Sequence, residues 1–354
     1  MTIEIAKVPV GNRLPTLEEY IHFLVPISYH DENCKINFIG MVTSGSDDDL
    51  YGIEYENRFT LLPGPEFNPR LYRGQTKYYD PCLPTLYRNA TQISIFVSIL
   101  KNFEFYKFLL GSHPIIYDLQ QWVISGKHYH IDLEGLAQHY ELSTTFIDVT
   151  RSKDVALFFA YCYKNPSTGK YEPILDASHN SILYTVDFAS LVKHDQTFFN
   201  PIGFQGLSRP EAQKACSIPL KYGIDFNKLP HVSYEVLKIN PSESKKYFEL
   251  FDGGRKLFPE DPTSDIAKEI KESSIIDADV LENVFRHNLI PPYFATTKDA
   301  KKFLESNGYS VREKSIALKP EIRKQVIEDW LRILPNISNK LKFRFVSEPL
   351  RTDP

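Results

Sequence analysis

The chain has 354 residues, with 41 Lys+Arg against 45 Asp+Glu and a formal net charge of −4. That near-balance excludes a generally basic nucleic-acid coat protein but leaves room for a local basic pocket. With 42% hydrophobic residues the chain can bury a sizeable core, and its length suits one large domain or two smaller ones. Its 24 Pro, 21 Tyr and 24 Phe against 2 Met point to strands, turns and rigid loops beside helices.

Met1 to Pro15 shows no basic segment followed by an apolar run, so no signal peptide is expected. No stretch approaches the roughly 18 apolar residues of a membrane helix. Cys34, Cys82, Cys162 and Cys216 lie far apart with no CxxC pair. They read as buried free thiols in a reducing cytoplasm, not as a disulfide framework or zinc ribbon.

Along the chain, Thr16-Leu17-Glu18-Glu19 has the form of a capping box. Leu17, Tyr20, Ile21 and Leu24 follow at helical spacing, up to Pro26. Residues 28–66 read as a hairpin-like insertion, with an acidic turn at 44–49 flanked by segments such as Ile36–Val42 and a Pro63-Gly64-Pro65 breaker after it. Arg70 to Gln75 is a short strand entering a glycine turn, and Pro81 to Arg88 is extended or turning. Apolar residues at 95, 99, 103, 106 and 110 predict a helix over 91–110. A second helix is expected after Asp132, over about 132–140. A strand is expected at 143–150, then an apolar helix at 155–163 and a strand at 181–188. Residues 200–240 suggest irregular strands. Helices are expected at 264–272, 277–287, 297–306 and 320–334, the last between Pro320 and Pro335. Asn307-Gly308 caps the third of these, and 342–347 reads as a terminal strand.

Tyr72-Arg73-Gly74-Gln75 is followed by Leu83-Pro84-Thr85-Leu86-Tyr87-Arg88. Leu136-Ala137-Gln138-His139-Tyr140 precedes Asp148-Val149-Thr150 and Val155-Ala156-Leu157-Phe158-Phe159-Ala160. Arg209 and Gln213 form an R-x-x-x-Q element, and Leu257-Phe258-Pro259-Glu260 closes the set. In this order the segments resemble the bacterial FRG domain, a family named for its Phe/Tyr-Arg-Gly motif. The resemblance runs over roughly residues 14–275, apart from the insertion. The chain departs from the family pattern at Glu141 (for Gly), Ser143 (for Pro), Thr145 (for Arg), Val149 (for Trp) and Ala215 (for Gly). The change at Thr145 removes one phosphate-capable charge. A weaker resemblance is to ADP-ribosyltransferases of the Arg–Ser–Glu type. Asp148-Val149-Thr150 stands at their Ser-Thr-Ser position, and Gln213 or Glu211 stands where their catalytic Glu is expected.

These resemblances imply an α+β fold with a split or mixed sheet like that of ADP-ribosyltransferases, flanked by helices. They also imply an FRG-like domain over 1–275, with 276–354 as a mostly helical extension. They imply NAD as substrate, with ADP-ribose passed to a macromolecular acceptor or to water, in a toxin or phage-defence effector with a cognate antitoxin or regulator. Breaking the nicotinamide–ribose bond passes through an oxocarbenium-like cation. Arg73 would hold the pyrophosphate, because its charge is permanent and its donors forked. Gly74 would let the backbone approach, Gln75 beside it belongs to the implied binding set, and Tyr140 would stack on a flat ring. Asp148 or Glu211 would offset the ribose cation, while Gln213 offers a hydrogen bond without charge. His139 could donate, accept or act as a base. Thr150, Arg88 and Arg209 complete the implied binding set.

Plainer readings stand beside these. Arg73 could pair structurally with an acid, Asp148 could cap the following helix, and His139 could be a satisfied core histidine. His128-x-His130 has no third ligand close by in sequence. Gly253-Gly254-Arg255 reads as a turn. A non-catalytic module binding a nucleotide, nucleic acid or protein is the alternative function. A structural interaction protein working through the insertion and the C-terminal helices is a third.

Overall fold

The computed structural model describes residues 6–7, 49–55, 58–63, 70–124, 126–187, 200–287 and 294–343. The helix expected after Thr16, the segment 36–42, the turn at 44–48, Gly64-Pro65, Cys34 and the strand residues beyond Phe343 lie outside them. The class is α+β, with several sheets and ten α-helices among the described residues.

Two compact units interleave along the chain. One takes residues 1–67, 107–131 and 316–354, and the other takes 68–106 and 132–315. The sequence reading cut the chain once, near 275. In the structure the residues beyond 276 are shared between the units.

The first unit holds a mixed sheet of β1 (Ala6–Lys7), β2 (Leu50–Tyr55), β3 (Arg58–Pro63), β5 (Trp122–Ile124), β6 (Lys127–Tyr129) and β16 (Leu341–Phe343). Their order is β1-β5-β6-β3-β2-β16. The insertion does contain a hairpin, formed by β2 and β3. Two helices of this unit, α2 (Pro114–Gln120) and α10 (Pro320–Lys340), join through tryptophan. Asp118 Oδ2 accepts from Trp330 Nε1 at 2.9 Å and from Trp122 Nε1 at 3.3 Å, and the two indoles stack with centroids 6.1 Å apart. Both indoles are buried. Trp330→Phe keeps a ring but removes one charge-assisted bond, so it should cost about 1–2 kcal/mol, read by thermal unfolding. An unchanged midpoint would show that this bond carries no stability.

Helix α10 corrects the sequence reading, because it continues past Pro335 to Lys340. A proline here removes one backbone bond, to the carbonyl of Leu331. Leu331 is exposed, and Ile337 lies seven residues after Trp330, buried on the same face. Burial of that second apolar contact offsets the lost bond.

The second unit holds an antiparallel sheet of β4 (Arg70–Gln75), β7 (Phe146–Thr150), β10 (Asn180–Asp187), β11 (Asn200–Pro201), β12 (Ala215–Pro219) and β13 (Val232–Lys238). Its order is β11-β12-β7-β4-β10-β13. At its centre β4 and β7 share one register pair, Tyr72↔Thr150. Beyond that pair the two strands part.

Helix α3 (Leu133–His139) begins at Asp132, whose carboxylate accepts from Gly135 N at 2.8 Å. Helix α4 (Lys153–Tyr161) begins at Ser152, whose hydroxyl accepts from Val155 N. It stops two residues earlier than its apolar run suggests. Cys162–Lys164 instead forms β8, paired with β9 (Tyr171–Pro173) around the Asn165–Gly169 turn. Val155, Phe158, Cys162 and Leu257 form a buried cluster beneath Phe159, Tyr171, Phe248, Phe251 and Phe258. The predicted Gly253-Gly254 turn is present, with φ of 63° and 93°.

The short helix α5 (Ser208–Ala212) carries Arg209 and Glu211. Helices α6 (Pro241–Leu250) and α7 (Pro262–Glu272) each start with proline behind an Asn240 or Asp261 cap. A second core joins α1 (Gln92–Ser112), through Phe96, Val97 and Leu100, to residues of β14 (Ile275–Asp277), α8 (Ala278–Arg286) and α9 (Thr297–Ser306). Strand β14 pairs in parallel with β15 (Ser310–Arg312). Cys82, Cys162 and Cys216 are free and buried, as expected. Among the described residues no helix is long and apolar enough to cross a membrane.

Candidate functional site

A cavity of about 170 Å³ opens where β4 and β7 part. Tyr72, Arg73 and Gly74 line it from β4, and Asp148, Val149 and Thr150 from β7. Val155, Ala156 and Phe159 come from α4, with His139, Gln213 and Ala215 completing the wall. Five residues of the sequence-derived set beside Arg73 therefore meet there: Gly74, His139, Asp148, Thr150 and Gln213.

Each is held by a traceable contact. Arg73 Nη1 donates to the Asp148 carbonyl at 2.7 Å, bridging the strands where their ladder stops. This bond goes to the backbone, so the Asp148 carboxylate does not neutralise Arg73 through it. Asp148 Oδ2 instead accepts from Gln138 Nε2 at 2.7 Å, and Gln138 Oε1 accepts from the Thr144 hydroxyl. The capping role considered for Asp148 falls to Ser152, assisted by Thr150, whose hydroxyl accepts from Ser152 N at 3.0 Å. Thr150 Oγ1 also donates to the Gln213 carbonyl at 2.7 Å.

His139 is buried, with Nδ1 3.1 Å from Gln213 Oε1. Gln213 Nε2 donates to the Leu257 carbonyl at 2.9 Å. Arg209 Nη1 donates to the His139 carbonyl at 3.4 Å, and Nη2 to Ser264 Oγ at 2.6 Å. Its guanidinium lies 4.9 Å from the Tyr140 ring centre. The R-x-x-x-Q element thus grips His139 and Tyr140 with both of its ends, and Leu257 of the closing element anchors Gln213.

The remaining predicted residues do not line the cavity. Tyr140 is buried, donates to Asp261 Oδ2 at 2.5 Å and carries Arg209 against its ring, so it is packing rather than a platform for a ligand. Gln75 is buried with Oε1 3.8 Å from Cys82 Sγ. Arg88 donates from Nε to the Leu83 carbonyl at 2.8 Å and lies 5.9 Å from the Tyr79 ring. Arg209 and Glu211 also stay outside the wall. Gly74 lines it, but the lack of a side chain there serves helix packing. A Cβ at 74 would sit 1.7 Å from the Ala156 carbonyl oxygen.

Sequence reasoning passed over Gln138, which fixes Asp148, and Tyr72 and Phe159, which line the cavity. All three stand inside the quoted motifs, so their place in those motifs was the available signal.

Residues 68–169 match the family model described as the FRG domain. The chain carries an FRG domain. No curated protein and no solved structure matches the chain. The FRG match contains Arg73, His139 and Asp148, while Gln213 of the wall falls beyond it, as do Arg209 and Leu257, which hold His139 and Gln213.

Two departures from the FRG pattern, Val149 and Ala215, lie in the cavity wall. A third, Thr145, lies outside it and donates from its hydroxyl to Glu134 at 2.6 Å. Glu141 has φ 65°, the left-handed turn after α3 in which the family's usual Gly fits without strain. It also pairs with Lys164.

Burial pushes the His139 imidazole pKa below the ordinary 6.5, and the charge of Arg209 acts in the same direction. In the first unit burial takes His113 down to about 3. Above pH 6.5 both rings are neutral whether the chain is folded or not. Below it the unfolded chain binds a proton that the folded His113 ring does not take up until about pH 3, and the folded His139 ring binds its proton less readily than the unfolded one. Stability should therefore fall between pH 6.5 and 5, by up to about 1.4 kcal/mol per pH unit from His113, with His139 acting in the same direction. Unfolding midpoints across that range test this, and a flat profile would mean the folded rings take up protons normally.

Proposed function

We propose that the cavity between β4 and β7 is a nucleotide site whose substrate is NAD. In this reading the nicotinamide–ribose bond breaks, nicotinamide leaves with the bonding electron pair, and the ADP-ribosyl group passes to a macromolecular acceptor or to water. The acceptor loses one proton. The observation that carries the reading is the presence of an arginine and a carboxylate residue in one wall, at the point where two strands part. Arg73 supplies a permanent charge for the pyrophosphate. Asp148 supplies the negative charge that offsets the ribose cation. Tyr72 and Phe159 offer rings for the flat base, the task first given to Tyr140. The strand–strand–helix order resembles that of ADP-ribosyltransferases, which supports the chemistry by analogy.

The binding-module reading has its own support. Both ends of the Gln213 amide are committed, to His139 and to Leu257, and Glu211 lies outside the wall. No acid therefore reaches the cavity from the third motif, among the described residues. Incubation with labelled NAD and cell lysate separates the two readings. The catalytic reading expects free nicotinamide or labelled macromolecule, lost in Arg73→Ala. The module reading expects NAD binding without either product. Absence of NAD binding by calorimetry would overturn both as applied to NAD. An effector role predicts growth arrest on expression, relieved by the same substitution.

A further inference from the structure

Outside the cavity, the second unit exposes Tyr78, Tyr79, Tyr222 and Tyr234, with Tyr222 at 71%. Scattered exposed rings need no explanation, but these are joined. The rings of Tyr78 and Tyr234 lie 5.1 Å apart, and those of Tyr87 and Tyr222 lie 5.3 Å apart, centre to centre. Tyr79 carries Lys77 Nζ at 5.1 Å and the Arg88 guanidinium at 5.9 Å from its ring centre. Sequence neighbours close the gaps, Tyr78 beside Tyr79 and Tyr87 beside Arg88. Rings and cations therefore interleave in one connected series from Tyr234 to Tyr222.

The loops that carry this series, 76–88 and 220–231, are tied to each other. Asp225 Oδ1 accepts from Cys82 N at 2.9 Å, and Phe226 N donates to the Cys82 carbonyl at 3.0 Å. Asn227 Nδ2 donates to the Tyr79 carbonyl at 2.8 Å, and Asn227 Oδ1 accepts from the Tyr184 hydroxyl at 2.9 Å. Tyr184 is fully buried and packs against Tyr234, its register partner on β13. Tyr184 is also in register with Arg73 of β4. Tyr234, Tyr184 and Arg73 thus share one face of the sheet, in a row that ends at the cavity wall.

Charge narrows the choice of ligand. The two loops and β13 expose Lys77, Arg88, Lys221, Lys228 and Lys238. Their exposed acids are Asp80 and Glu235, and Glu235 alternates to the opposite face of β13 from Tyr234. Asp225 is buried, accepts from two backbone amides and lies 3.6 Å from Lys228. In a chain of net charge −4 this is a local cationic surface. A protein hot spot gathers its rings in a centre depleted of charge. Here the cations lie against a ring of the series itself. That pattern suits a strand of unpaired bases, in which each base offers a flat face and each phosphate a negative charge. A duplex keeps its base faces in its own stack, and an uncharged sugar makes no use of the cations.

We infer that this surface binds single-stranded nucleic acid, with bases on the tyrosines and phosphates on the lysines and Arg88. The inference goes beyond the NAD reading and does not rest on it.

The test is fluorescence anisotropy of the full chain with a labelled oligothymidylate of about 12 nucleotides and with a labelled hairpin duplex, starting at about 50 mM salt. The single strand should bind at least about tenfold more tightly than the hairpin, with an affinity that falls as salt rises. Tyr222→Ala should weaken binding by about tenfold, the effect of losing one stacked base, and its exposure should leave the unfolding midpoint unchanged. Lys221→Glu should weaken binding and flatten its salt dependence. No binding at low salt, equal binding of the hairpin, or wild-type affinity in both Tyr222→Ala and Tyr234→Ala would each overturn the inference. Sedimentation covers the protein alternative. A dimer that Tyr222→Ala dissociates would make this surface an interface between copies of the chain, and would overturn the inference as well.

Discussion

Gly74→Ala is expected to unfold the unit that contains the cavity. The added Cβ would stand 1.7 Å from the Ala156 oxygen and 2.7 Å from both Ala156 C and Ala160 N. All three are backbone atoms of α4, so no side-chain rotation relieves the clash. Relief requires α4 to lift from β4. That would separate Val155 and Phe158 from the cluster they share with Leu257 and Phe258, where both are essentially fully buried. Overpacking usually costs about 1–3 kcal/mol, and a clash with fixed backbone should exceed this, at about 3–5 kcal/mol. Urea unfolding measures it. A wild-type midpoint would show that α4 can move away cheaply, and the packing account of Gly74 would be wrong.

This result would also separate two reasons for a glycine after Arg73. The sequence allows either a close approach of ligand to backbone or a close approach of one element to another. The dipeptide looks the same in both cases. The deciding neighbour, Ala156, lies 82 positions further along the chain, and local sequence carries no sign of it.

Other parts were more legible. Helices α1, α3 and α4 follow from apolar spacing and from the caps Asp132 and Ser152, because those signals are local. The meeting of Arg73, His139, Asp148 and Gln213 was foreshadowed by the order of motifs, not by any one of them. What the sequence hid was contact at long range. Nothing local shows that Phe96 and Leu100 pack against residues 276–304, or that residues 316–354 belong with 107–131. Tyr140 was misread for a similar reason. An aromatic beside a histidine looks free to stack until Asp261 and Arg209 are seen to occupy its hydroxyl and its ring. Pro335 was read as a stop because the local rule is strong, and the buried Ile337 beyond it was not weighed.

Asp148→Asn should leave the fold in place and, on the NAD reading proposed above, remove nicotinamide release. The substitution keeps shape and volume, so packing around β7 is preserved. Gln138 Nε2 donates to the present carboxylate at 2.7 Å, and Gln138 is itself held by Thr144, so it keeps demanding an acceptor. The asparagine must therefore turn its oxygen toward Gln138. Its NH₂ then takes the place of Oδ1, and an acceptor becomes a donor. On the proposed NAD reading, the negative charge offered to the ribose cation is then gone. Stability should change by less than about 1 kcal/mol, because the bond to Gln138 survives. On that reading, nicotinamide release should fall by about a hundredfold or more, the usual scale for removing one electrostatic contact to a transition state. Parallel measurement of unfolding midpoint and release rate distinguishes the outcomes. Unchanged release would remove Asp148 from the chemistry. Loss of both fold and release would mean that the carboxylate charge is structural, and that Gln138 and Arg73 depend on it.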